Sequence, residues 1–200
     1  MNINPYVCIF IGRSGCGKGT QAELLMEYLK NIDPKREIVY LQTGKLYRDF
    51  IKGTHYTHQL SKTINERGGL QPEFLTIYQW ANFFTEFLKP DMHMVMDGTP
   101  RKYSEALTLD SAIGFYGWTK PHIIYQNISR EEAMKRLLAR GRHDDNTDAI
   151  NVRLDWFDTD VAKALSFYRD NPDYFYHDIN GEQSISNIHD AIVQRVGLKA

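Results

Sequence analysis

Apolar residues gather in five short runs, at 6–11, 37–41, 93–97, 122–126 and 174–179. Runs of this length, rich in Val, Ile, Phe and Tyr, read as buried strands. Between them the apolar spacing changes to that of helices. Ala22, Leu25, Met26 and Leu29 mark one face of a helix over 18–31. Similar patterns cover 46–52, 56–66, 72–88, 104–111, 130–139, 148–170 and 184–196. Pro72 suits a first helical turn and Ser184 precedes an apolar-periodic run. In 72–88, Phe74, Tyr78, Phe83, Phe84 and Phe87 are expected to pack as core. Strands alternating with helices predict an α/β fold, a parallel doubly wound five-stranded sheet with helices on both faces. The two helical patterns between residues 46 and 70 exceed what a crossover needs, so they read as an inserted flap. With no internal repeat or long linker, the 200 residues form one domain.

Charge is nearly balanced, 24 Lys and Arg against 25 Asp and Glu, which gives no general pull toward nucleic acid or membrane. Only Cys8 and Cys16 occur, which fits a reducing compartment and offers neither a disulfide framework nor a C-x-x-C zinc site. The first apolar run breaks at Gly12 and Arg13 and lacks a basic flank, so no signal peptide is expected. No segment approaches ~20 apolar residues. A soluble cytoplasmic protein is the expectation.

Chemistry enters with Gly12-Arg13-Ser14-Gly15-Cys16-Gly17-Lys18-Gly19-Thr20, between the first strand and first helix. A G-x-x-x-x-G-K run in that context is a phosphate-binding loop, or P-loop. Its backbone N–H groups turn toward one point, which the positive end of the helix also faces. Lys18 adds a point charge able to follow a phosphoryl group. Gly19 stands where a generic P-loop has Ser or Thr, and the hydroxyl comes one residue later at Thr20. Asp97-Gly98-Thr99-Pro100-Arg101 follows the third strand. In an open parallel sheet it emerges at the same edge as the loop. A carboxylate there suits the water shell of Mg²⁺, and the Arg101 fork suits phosphate. Thr43-Gly44-Lys45-Leu46-Tyr47-Arg48 closes the second strand, with Arg48 expected in a first helical turn, where an anion is favoured.

With these motifs in this order, the chain resembles the adenylate kinase family of nucleoside monophosphate kinases over nearly its whole length. The resemblance extends through Arg136-Leu137-Leu138-Ala139-Arg140-Gly141-Arg142, Asp144-Asp145-Asn146 and Arg153. It implies reversible transfer of the γ-phosphoryl of MgATP to a monophosphate, a monophosphate-binding flap at 43–72 and a very short lid at 140–146. It implies Gly15, Cys16, Gly17, Lys18, Gly19 and Thr20 on the ATP phosphates, with Arg136, Arg140 and Gln183 also on ATP. Thr43, Gly44, Arg48, Gly69, Leu70, Gln71, Gly98, Arg101, Glu105, Arg142 and Arg153 would hold the monophosphate. Lys18, Arg101, Arg140, Arg142 and Arg153 would be catalytic, and Asp97 would organise Mg²⁺ through water. Zinc, nucleic acid and membrane are not implied, and a monomer is expected.

Departures from the family pattern leave alternatives open. Ser14 replaces a proline, and Gln71 stands where an apolar residue is usual. Cys16 beside Lys18 reads either as an activated thiol or as a small unreactive loop residue, the latter favoured. The lid has only Gly141 between Arg140 and Arg142. Asp144 and Asp145 are expected to pair with the closing arginines. Glu105 replaces the family glutamine, and a carboxylate only accepts, which suits two neighbouring donors on guanine better than adenine. Thr43 matches the adenylate kinases. AMP is the expected acceptor, with GMP, CMP or UMP the alternatives and a non-catalytic nucleotide switch the reading from another class. A sugar or carboxylate kinase is disfavoured by the monophosphate motifs. His143 and His177 show no metal-ligand spacing.

Overall fold

Alternate residues of the strands enter two different apolar layers, and this alternation sets the architecture. In the computed structural model, which describes residues 5–142 and 145–198, the strands are β1 (Val7–Ile11), β2 (Ile38–Gln42), β3 (His93–Asp97), β4 (His122–Asn127) and β5 (Phe175–Asn180). Every pairing is parallel, in the order β2-β3-β1-β4-β5. From β1 the chain crosses to the edge strand β2, returns through β3 beside β1, and then continues outward on the other side through β4 and β5, so the carboxyl edge opens beside β1.

Nine α-helices are described: α1 (Lys18–Ile32), α2 (Thr43–Phe50), α3 (Tyr56–Glu66), α4 (Glu73–Phe87), α5 (Tyr103–Phe115), α6 (Arg130–Arg140), α7 (Thr147–Trp156), α8 (Ala162–Arg169) and α9 (Ile185–Val196). Val7, Ile9 and Ile11 face one layer with Met94, Met96 and Ile123, covered by Trp80 and Phe84 of α4, Leu109 of α5 and Leu165 of α8. Cys8 and Phe10 face the other with Val95 and Ile124, covered by Leu25 and Leu29 of α1 and Ile188 and Ile192 of α9. A third cluster of Cys16, Ile128, Ala133, Leu137, Ile150 and Leu154 joins α6 and α7 beneath the glycine-rich loop. Side-chain caps fix three helix starts: Ser129 accepts from the Glu132 N–H, Asn146 from Ala149 and Ser184 from Asn187.

Four readings change. Helix α2 begins at Thr43, directly on the end of β2, which puts Thr43 and Gly44 in its first turn and Arg48 in its second. Helix α5 continues to Phe115 because Ile113 still has core to bury. The single helix expected over 148–170 is interrupted by a π-helical turn, Phe157–Val161. Ile150 and Leu154 before it serve the third cluster, whereas Phe157 and Val161 serve the main core, so the apolar stripe changes direction there. Finally, Phe74, Tyr78 and Phe87 of α4 are exposed rather than core. Only one side of that helix meets the sheet, and Trp80 and Phe84 occupy it.

Leu137 is fully buried and supports the underside of the loop. Leu137→Ala is expected to lower the unfolding free energy by about 2–5 kcal/mol in a denaturant titration, the usual loss for such a core truncation.

Candidate active site

The segment between β1 and α1 turns sharply enough to require a left-handed backbone. Gly17, at φ 97°, caps α1, a conformation a Cβ would oppose. Lys18 folds back over the loop, its Nζ donating to the Gly12 and Arg13 carbonyls, each at 2.9 Å, and lying 3.5 Å from Cys16 Sγ. The loop is held from behind: the Cys16 carbonyl accepts from Gln126 Nε2 and from Arg136 Nη1 at 3.4 Å. Arg136 is itself oriented by Glu132 at 2.7 Å. Cys16 is fully buried, and that burial pushes its thiol up despite the nearby Lys18 ammonium. Full burial and the raised thiol favour Cys16 as a small packed residue over an activated thiol.

A cleft open to solvent lies along the carboxyl edge of the sheet. Lys18, Arg48, Arg101, Arg140, Arg142 and Arg153 all line it, and no carboxylate does among the described residues. Such a cleft selects a polyanion. Gly44, Gly69, Gln71 and Gly98 line it as well. At the end formed by α2 and the β3 loop, the buried hydroxyls of Thr43 and Thr99 have no protein partner. Groups of this kind are ready to meet a ligand. Arg101 Nε donates to the Gly98 carbonyl at 2.8 Å, which fixes the side chain across its own loop.

Asp97 ends β3 nearly buried, with Tyr40 Oη and Gln42 Nε2 each 3.4 Å from Oδ2. It adjoins the loop: a Cβ on Gly19 would lie 3.6 Å from the same oxygen. No group of three metal-ligating side chains occurs among the described residues. One carboxylate beside a polyphosphate site fits Mg²⁺, which keeps much of its water and takes its other ligands from substrate.

The arginines at and beyond the end of α6 are gathered by one carboxylate. Asp145, its side chain wholly buried, accepts from Arg140 Nε and Nη2 at 2.8 Å each, from Arg153 Nη2 at 2.8 Å and from the Arg142 N–H at 3.1 Å. Asp145 thus pairs with two arginines as expected, whereas Asp144 and His143 lie outside the described residues. His177 meets His122 ring to ring at the opposite end of the sheet, with Nε2 and Nδ1 3.0 Å apart.

Other sequence candidates stand apart from the cleft. Glu105 is buried in the first turn of α5, where Oε2 accepts the Arg101 N–H at 2.7 Å; it does not line the cleft. Burial raises its carboxyl above the ordinary value, against the pull of that hydrogen bond and of the Arg101 charge. Gln71 does line the cleft, but both ends of its amide are engaged by Ser61, through Oγ and the carbonyl, at 2.9 Å each. Gly15, Cys16, Gly17, Gly19, Thr43, Leu70 and Arg136 do not line it, nor do exposed Thr20 and exposed Gln183. Tyr47, Asn65, Gly68 and Trp156 do, and the motif reading passed over them. Trp156 follows Arg153 by three residues on one helix, a spacing that puts both on one face.

A sequence model of the family described as adenylate kinase matches residues 10–172. Among curated relatives, an adenylate kinase of Parabacteroides distasonis is 30% identical over 164 residues, 80% of this chain and 82% of its own. Adenylate kinase 1 of Nostoc sp. is 29% identical over 88% of this chain and 90% of its own. An adenylate kinase of Prochlorococcus marinus is 28% identical over 94% and 97%.

The Asp145 knot has a pH signature. Burial alone would raise its carboxyl; the Arg140 hydrogen bonds and charge, with Arg142 N–H and Arg153, outweigh this and hold it below 3.8. Its contribution to stability is complete above the ordinary carboxyl value and disappears as pH falls through the lowered one. Asp145→Asn is expected to melt below the parent by a constant margin between about pH 5 and 8, the gap closing only in stronger acid. Thermal midpoints across pH check this; a gap that closes near neutrality counts against the knot.

Proposed function

The chain belongs to the adenylate kinase family, and we propose that this phosphotransferase moves the γ-phosphoryl of ATP reversibly onto AMP to give two ADP. The observation that carries the reading is the convergence of six cationic side chains, without a carboxylate, on one cleft at the sheet's carboxyl edge. Phosphoryl transfer goes through a loose, charge-spread transition state, so positioned cations supply most of the catalysis. The loop and Lys18 serve the ATP phosphates, with Lys18 exchanging its carbonyl partners for phosphate oxygens. Thr43, Arg48 and the Gly98–Arg101 loop hold the monophosphate. Arg140, Arg142 and Arg153 close over the phosphates between them and exclude water, the competing acceptor. Asp97 would hold Mg²⁺ through its water shell, and the ion, when bound, would supply charge neutralisation at the phosphates.

AMP is favoured over GMP because Glu105 spends an oxygen on the Arg101 N–H and stays out of the cleft. That removes the main chemical reason to expect a guanine. The adenylate kinase names of the relatives point the same way. A nucleotide switch has no use for the second phosphate end built by Arg48, Arg101 and the two unpartnered threonine hydroxyls. Both cysteines are buried thiols, in keeping with a reducing compartment, and we assign the enzyme to the cytoplasm as a monomer.

Incubation with MgATP and each of AMP, GMP, CMP and UMP is expected to give diphosphate fastest with AMP. A faster reaction with another monophosphate overturns the assignment of the base. Lys18→Ala and Arg101→Ala are each expected to cut turnover by about 100- to 1,000-fold, the usual loss when one preorganised donor to a transition state is removed. Their thermal midpoints should stay near the parent's, since both side chains line the cleft. Near-normal turnover in either variant contradicts these roles.

A further inference from the structure

Trp156 joins two parts of the cleft that the chain order keeps far apart. Its indole Nε1–H donates to the Gly68 carbonyl at 3.0 Å, across 88 positions of sequence. Its ring also carries the Arg101 guanidinium, with Cζ 5.4 Å from the ring centroid. The Gly68 contact is unusually close. A Cβ there would lie 2.3 Å from the Ala149 carbonyl oxygen, so the backbone after α3 rests directly on the backbone of α7. Ala149 in turn accepts from Arg153 Nε at 3.2 Å. The α3 end closes onto itself just there, the Gly68 and Gly69 N–H groups donating to Asn65 and Ile64 at 3.0 Å each.

We propose that Trp156 is a positioning residue for the acceptor site, pinning the end of the α3 segment to α7 with its N–H while its ring face seats Arg101. The proposal rests on the reading of this end as the monophosphate site. The indole is suited to both tasks, since one edge donates and its face attracts a cation. The Gly98 carbonyl holds only Nε of Arg101, and a planar support under the rest of the guanidinium reduces what must be ordered when phosphate arrives. Because Trp156 and Arg153 share α7, docking of the α3 segment is tied mechanically to the helix that carries a closing arginine.

Two variants separate the tasks. Trp156→Phe keeps a ring face and loses the donor; Trp156→Leu loses both. For Trp156→Phe, the AMP KM is expected to rise about fivefold, as for one neutral hydrogen bond, with the ATP KM unmoved and kcat little changed. Its Gly68 and Gly69 amides should exchange hydrogen faster than the parent's. For Trp156→Leu, kcat should fall as well, and combining it with Arg101→Ala should cost no more kcat than Arg101→Ala alone. Unchanged exchange at Gly68 and Gly69 in Trp156→Phe, or independent kcat losses in the double variant, overturns the proposal. The exchange experiment needs no substrate, so it decides the pinning contact even if another monophosphate proves to be the acceptor.

Discussion

Mutual repulsion among six cations in one cleft is the constraint that the rest of the structure has to satisfy. Four of them are held by partners that leave their charge available to the cleft. Lys18 rests on two carbonyls of its own loop. Arg101 rests on the Gly98 carbonyl and the Trp156 ring. Arg140 and Arg153 share the Asp145 carboxylate. Carbonyls and ring faces are weak enough to give way to an anion. A buried carboxylate is a stronger anchor, and it sits behind the arginines rather than in the cleft lining.

The sheet makes this crowding possible. In a parallel sheet wound in both directions from β1, several strands deliver their following loops to one edge. The P-loop, the start of α2 and the Asp97–Arg101 segment arrive there from β1, β2 and β3 with little intervening chain. Alternation of Val7, Ile9 and Ile11 with Cys8 and Phe10 buries both faces and leaves the edge as the place where polar chemistry can be exposed. Helices α6 and α7 supply Arg140 and Arg153, and the segment between them supplies Arg142.

Much of this was legible in the residues. Five apolar runs separated by helical spacing sufficed for the parallel sheet, because strand and helix periods differ and the turns are marked by Gly, Pro and Asp. The loop glycines and the Asp97–Arg101 motif were readable because their chemistry is local. What escaped was whatever depends on distant contacts. The exposed Phe74, Tyr78 and Phe87 carry the same apolar signal as the buried Trp80 and Phe84, and only the position of the sheet decides between them. Glu105 was read toward a base, whereas folding turned it toward the backbone of its own loop. Trp156 meets Gly68 only through the tertiary fold, so no window of neighbouring residues announces the contact.

The wide turn at Phe157–Val161 has a consequence for how this region tolerates changes of length. A π-helical turn holds an extra residue compared with the α-helix around it. Removing one residue there would restore regular winding but rotate everything beyond it by roughly 100° relative to α7. Leu165 and Tyr168 would then leave the main core, or Ile150 and Leu154 would leave the cluster under the P-loop. The two hydrophobic clusters thus act as opposite ends of a torsional clamp. Between them the chain can exchange side chains, but insertion or deletion is penalised far more heavily than the modest sequence of the turn suggests.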